Sequence, residues 1–113
     1  TRAFLPLLKE SADASVIFVG ESHGETPKAY WGGFGASKAA VNYLCKVAAD
    51  EWERFENLRA NVLVPGPINS PQRVKTHPGE AEGERKDIEE VMPQFVFWMS
   101  KESRGRSGEI VYL

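Results

Sequence analysis

Four apolar residues in a row, Val16-Ile17-Phe18-Val19, end at Gly20. A short continuous run rich in β-branched residues predicts a strand buried on both faces, as in a parallel sheet. The period then changes. From Gly32 to Phe55, the residues Val41, Leu44, Cys45, Ala48, Trp52 and Phe55 recur at three- and four-residue steps, which predicts a helix with that stripe toward the core. Ala36, Ala40, Tyr43 and Val47 form a second apolar stripe on the same helix. A helix with two apolar faces needs two partners, its own sheet and either a second core element or another subunit.

Leu58 to Val64 predicts a second strand, ended by Pro65-Gly66-Pro67 because neither proline can donate to a ladder. Asp87 is a candidate cap for a helix reaching Met99, with Ile88, Val91, Met92, Phe95, Val96 and Met99 on its inner face and Pro93 inside it. Ser107-Gly108 precedes a last short strand over 109–113. At the start, Ala3, Phe4, Leu5, Leu7 and Leu8 read as the last turns of a helix. The connections at 20–30 and 71–86 carry glycine, proline and charge, and the second of these is expected to be mobile. Its charged residues Glu80, Glu82, Glu84 and Arg85 are expected to be a solvated stretch. The order helix, strand, helix, strand, helix, strand predicts an α/β fold with three parallel strands and crossover helices.

Composition narrows the function classes. A chain of 113 residues with 42% hydrophobic content fits one domain with a modest core. A net charge of −2 with no basic stripe argues against nucleic-acid binding. No run approaches the ~18 apolar residues of a membrane span. The single cysteine, Cys45, permits no internal disulfide, sits in the helical stripe as a core residue, and favours a reducing, cytoplasmic setting. His23 and His77 stand far apart in sequence with no thiol nearby, so no metal site is expected. Trp31, Trp52 and Trp98 are expected in the core or an interface.

One stretch carries chemistry. Trp31-Gly32-Gly33-Phe34-Gly35-Ala36-Ser37-Lys38-Ala39-Ala40 resembles the active-site helix of short-chain dehydrogenases/reductases, which carry Tyr-x-x-x-Lys there. An apolar strand lies upstream at the expected distance. Downstream, Val64-Pro65-Gly66-Pro67-Ile68-Asn69-Ser70 is similar to the family's strand followed by Pro-Gly-x-x-x-Thr, and Ser107-Gly108 resembles the Thr-Gly before its last strand. The resemblance covers residues 1–113 as the C-terminal portion of a doubly wound, Rossmann-like domain. The family's Gly-rich dinucleotide turn has no counterpart in the chain, and Thr1 opens inside an apolar run, so the chain is expected to be one partial domain.

The resemblance implies site residues. Lys38 matches the lysine that holds the nicotinamide ribose. The tyrosine position is Phe34, whose ring has no ionisable proton. The serine position, thirteen residues before Phe34, is Glu21, with Ser22 beside it as a substitute. Tyr30 reaches the site only if its loop folds back, and Glu21 serves as an acid only with a pKa raised by burial. Pro65, Gly66, Ile68 and Ser70 match the segment along the nicotinamide. These matches imply an NAD- or NADP-dependent oxidoreductase as the intact parent. The chain alone is expected to bind neither nucleotide and to be inactive. The alternative is a non-catalytic pseudoenzyme or dimerisation module. A homo-oligomer through the 34–55 helix face, or docking with an N-terminal half, is expected in either case.

Overall fold

The computed structural model describes residues 1–81 and 83–113; Glu82, expected to be solvated, lies outside the described residues. The element order is α1 (Leu5–Glu10), β1 (Ala14–Val19), α2 (Gly32–Glu51), β2 (Leu58–Val64), α3 (Pro71–Thr76), α4 (Ile88–Met99) and β3 (Ile110–Tyr112). The three strands form one parallel sheet in the order β1-β2-β3. This is the α/β alternation that the apolar runs predict.

Strand alternation sorts the core into two layers. On β2, the even positions Leu58, Ala60, Val62 and Val64 pack with Cys45 of α2 and with Trp52, just past its end. The odd positions meet the other layer. Arg59 donates to the Ser103 hydroxyl (2.9 Å), to the Ser100 carbonyl and to Asp13 (both 2.6 Å). Ser15, odd on β1, donates to the Trp98 carbonyl of α4 (2.8 Å). Central β2 is buried along its whole length, whereas β1 has one neighbour and is only half-buried from Ser15 to Phe18. The two-sided burial expected for Val16 to Val19 is therefore not reached, because among the described residues no strand pairs with the outer edge of β1.

Three further expectations are corrected. Helix α2 stops at Glu51, not Phe55; Trp52 and Phe55 still reach the core from the turn that feeds β2. Leu44 is exposed, because Val41, Cys45, Ala48 and Trp52 fix the inner face and leave it beside Ala40 and Tyr43. On α4 the buried residues are Val91 and Trp98, while Ile88, Met92, Val96 and Met99 face outward. Burying the largest side chain sets that helix's rotation, since an aromatic of this size buries roughly 150–250 Å².

Residues 71–81 and 83–86 are also held by more specific bonds than their composition suggests. Ser70 accepts from the Arg73 amide (3.2 Å) and Pro71 occupies the first helical position, so α3 has a complete start signal. Glu80 then accepts from Arg73 (2.9 Å) and Arg85 (3.1 Å), and the Arg73 guanidinium holds its carboxyl down at about 2. No helix among the described residues is long and apolar enough to cross a membrane.

Candidate functional site

Parallel sheets gather their loops at the carboxyl ends of the strands, and ligands of open α/β sheets bind there. In this chain the segments leaving β1 (Gly20 onward) and β2 (Pro65 onward) meet the first turn of α2 around a cleft of about 350 Å³. Glu21, Phe34, Gly66, Ile68 and Ser70, all singled out from sequence, line it. Ser22, Lys38 and Pro65 do not. Lys38 is half-buried, with its Nζ 5.7 Å from the centre of the Phe34 ring. Tyr30 is fully exposed at a φ of 69° and does not line the cleft.

Glu21 is the most constrained of the predicted residues. Its side chain caps the 3₁₀ turn Ser22–Gly24 by accepting from the His23 amide (2.7 Å). Its other oxygen accepts from the Ser22 hydroxyl (2.8 Å), and the His23 Nδ1 bonds the first. Burial pushes its pKa up, but these bonds outweigh burial and hold the carboxyl below the usual range. Glu21 is thus a carboxylate at neutral pH, without the raised pKa that an acid role requires. Ser22 spends its proton on Glu21 and is not aimed at the cleft. Glu25, in the same loop, pairs elsewhere: it accepts from the Tyr112 hydroxyl, whose pKa is pushed up to about 12 by that bond.

The sequence did not signal His23, Trp31, Arg73 and His77 as cleft residues. Trp31 stands between the two histidines, stacked on His23 (centroids 5.0 Å, planes 14° apart) and tilted against His77 (5.8 Å). It also meets the Phe34 ring edge-on at 5.4 Å. Trp31 is therefore a wall of the site, where a core or interface position was expected. Two glycines explain how the loop comes so close to the helix. A Cβ on Gly35 would lie 2.9 Å from the His23 carbonyl oxygen, and one on Gly24 would lie 2.9 Å from the Lys38 carbonyl carbon. Gly24 paired with Gly35 was the available signal, legible only once loop and helix are known to touch.

The segment after β2 offers open backbone. Gly66 has a φ of +74°, and nothing lies within 4 Å of where its side chain would be. A flat ligand can approach the main chain there. Among the described residues, no group of three or more histidine, cysteine or acidic side chains could hold a metal ion.

A sequence profile described as short chain dehydrogenase matches residues 1–81. The uncharacterized oxidoreductase YciK of Escherichia coli K12 is 34% identical over 108 residues, covering 96% of this chain and 42% of its own. A short chain dehydrogenase from Salmonella enterica serovar Typhi superposes with a TM-score of 0.91 at 32% identity, covering 98% of this chain and 45% of that one. A structure from Escherichia coli CFT073, described as a short chain dehydrogenase complexed with NADPH, gives 0.88 at 34% identity, with 98% and 45% coverage. The chain spans about two-fifths of the length of the curated relatives it matches along most of its own length.

Proposed function

The chain belongs to the short-chain dehydrogenase family, and from that premise we propose that it forms the C-terminal part of an NAD- or NADP-dependent oxidoreductase domain, with Phe34 at the tyrosine position. One observation carries the reading: Glu21, Phe34, Gly66, Ile68 and Ser70 converge on a single cleft at the carboxyl ends of β1 and β2. Support for the nucleotide comes from the structural relatives complexed with NADPH and NADP.

The residues present fit the nicotinamide end of such a molecule. Gly66 leaves main chain open to a flat ring, and Ile68 offers an apolar contact beside it. Pro65 fixes the exit of β2 and Ser70 anchors the following turn; Lys38, outside the cleft lining, would hold the ribose by its match to the family's lysine. Bound there, the nucleotide supplies or accepts a hydride at a substrate carbon. Phe34 contributes apolar surface and moves no proton. The chain by itself is inactive, since it carries no Gly-rich turn for the pyrophosphate.

A second reading has its own observation. Ala36, Ala40, Tyr43 and Leu44 form an exposed apolar face on α2. That face favours a homo-oligomer, and the open edge of β1 favours docking with an N-terminal half. A pseudoenzyme would keep both without catalysis.

Calorimetric titration of the full natural chain with NAD(H) and NADP(H) separates the readings. Binding of either nucleotide supports the oxidoreductase. Binding of neither, with a stable oligomer, supports the assembly module.

A further inference from the structure

The inference rests on the oxidoreductase reading and concerns the proton. A carbonyl reduced by hydride needs one, and neither Phe34 nor the fully exposed Tyr30 delivers it to the cleft. We propose that His23, oriented by Glu21, is the group that gives and takes the proton in this cleft.

Glu21 fixes the ring. A carboxylate only accepts hydrogen bonds, so the His23 Nδ1 that meets it carries the proton. The neutral imidazole then has its acceptor lone pair on Nε2, and the protonated ring has a donor there. Among the described residues no side chain bonds Nε2. The carboxylate cannot swing away, because the His23 amide and the Ser22 hydroxyl hold both of its oxygens.

Packing fixes the ring a second time. Its side chain is 19% exposed. Trp31 stacks on one face, and the Phe34 ring meets it edge-on with centroids 6.3 Å apart. The imidazole therefore lies beside the phenyl ring that stands where the family's proton donor would be. Its main chain is pressed onto α2 at Gly35, so the placement is set from behind as well. His77 shares the cleft but lacks this support. Its Nδ1 meets the exposed Thr76 hydroxyl (2.9 Å), which can donate or accept and fixes no tautomer.

The step balances as follows. The carbonyl carbon takes a hydride, one hydrogen with two electrons, from a reduced nicotinamide dinucleotide. The carbonyl oxygen takes the proton leaving Nε2 of the imidazolium. An alcohol, a neutral imidazole and an oxidised nicotinamide remain, and alcohol oxidation runs the same transfers in reverse. Glu21 is a positioning residue: it sets the tautomer and stabilises the imidazolium without touching substrate.

The test uses the full natural chain, NADPH and NADH as nucleotide probes, and a panel of ketones, aldehydes and quinones. The wild type is expected to bind a nucleotide and reduce a member of the panel. H23N is expected to bind the nucleotide equally well, which reports that it is folded, and to lose about 100-fold or more in kcat. Imidazole ¹⁵N spectra supply a readout without turnover: the wild type is expected to show His23 protonated at Nδ1, and E21Q to lose that preference and fall between the other two in kcat. H23N within a factor of about three of wild type overturns the proposal alone. So does a wild-type spectrum with the proton on Nε2 and Nδ1 bare, or nucleotide binding with no turnover of the panel. Failure to bind either nucleotide overturns the oxidoreductase reading itself, and the proton-transfer role with it.

Discussion

Two glycines two residues apart but opposite in environment, Gly33 and Gly35, allow the contact between loop and helix to be measured. Both lie in the first turns of α2 at ordinary helical φ. At Gly33 a methyl group would meet nothing within 4 Å; at Gly35 it would sit 2.9 Å from the His23 carbonyl oxygen, where 3.4 Å is ordinary contact. G33A therefore gains helix propensity, at most about 1 kcal/mol. G35A has the same gain available but must drive the His23 main chain back by roughly half an ångström, against an overpacking cost of about 1–3 kcal/mol. The two variants are expected to differ by about 1–3 kcal/mol, G33A being the more stable. With a urea slope of about 2 kcal/mol/M, their unfolding midpoints separate by roughly 1 M. G35A should also weaken the stacking of His23 on Trp31, visible as a shift of the His23 ring protons. Equal midpoints for the two variants would refute the close contact, and with it the claim that the loop is seated by the missing side chain.

Three more predictions follow from particular contacts. Asp13 is held down at about 2 by its bonds to Arg59 and Arg104. A depressed carboxylate stabilises above its ordinary pKa, so about 2 kcal/mol at most should be lost as pH falls from about 4 through 2; acid titration of D13N in parallel with wild type should show that segment flattened. D13N also leaves Arg59, 4% exposed at its side chain, without its carboxylate, and should be clearly less stable at neutral pH. Burial pushes the Cys45 thiol up to about 11, so iodoacetamide should label it only when urea unfolds the chain; labelling of the native protein at neutral pH would mean the helix opens locally. If the exposed α2 face assembles copies, L44E should shift the mass in light scattering toward monomer while leaving the circular dichroism spectrum unchanged.

Much of the fold was legible because apolar runs and helical stripes depend on local sequence. Val62-Leu63-Val64 can be little other than a buried strand, and Asp87 announces α4; the structure adds Glu90, whose carboxyl accepts from the Asp87 amide (2.9 Å). Helix rotation was less legible, since it is decided between elements. Leu44 and Cys45 are adjacent and both apolar, and only the sheet says which one turns inward. The same holds on α4, where Trp98 outcompetes a longer stripe of smaller residues. In the cleft, motif spacing located Glu21, Phe34, Gly66, Ile68 and Ser70. It had no means of joining His23 to His77, because what brings them together is a shared contact with Trp31. Glu21 was found for its place in a motif, while its bonds to Ser22 and His23 are what define its charge.

The parallel sheet also has a consequence in time. Ala14 pairs with Leu58, and Val62 with Ile110, so among the described residues each strand pairing joins residues about 44 or more apart along the chain. Neither pairing forms as a local hairpin; each waits for an intervening helix to be made and to close a long loop, which places such topologies among the slower folders. On the ribosome β2 emerges well before β3, leaving its most apolar segment, Val62-Leu63-Val64, with one flank unpaired. The stretch that is best protected in the finished molecule is therefore the one most open to aggregation while the molecule is being made.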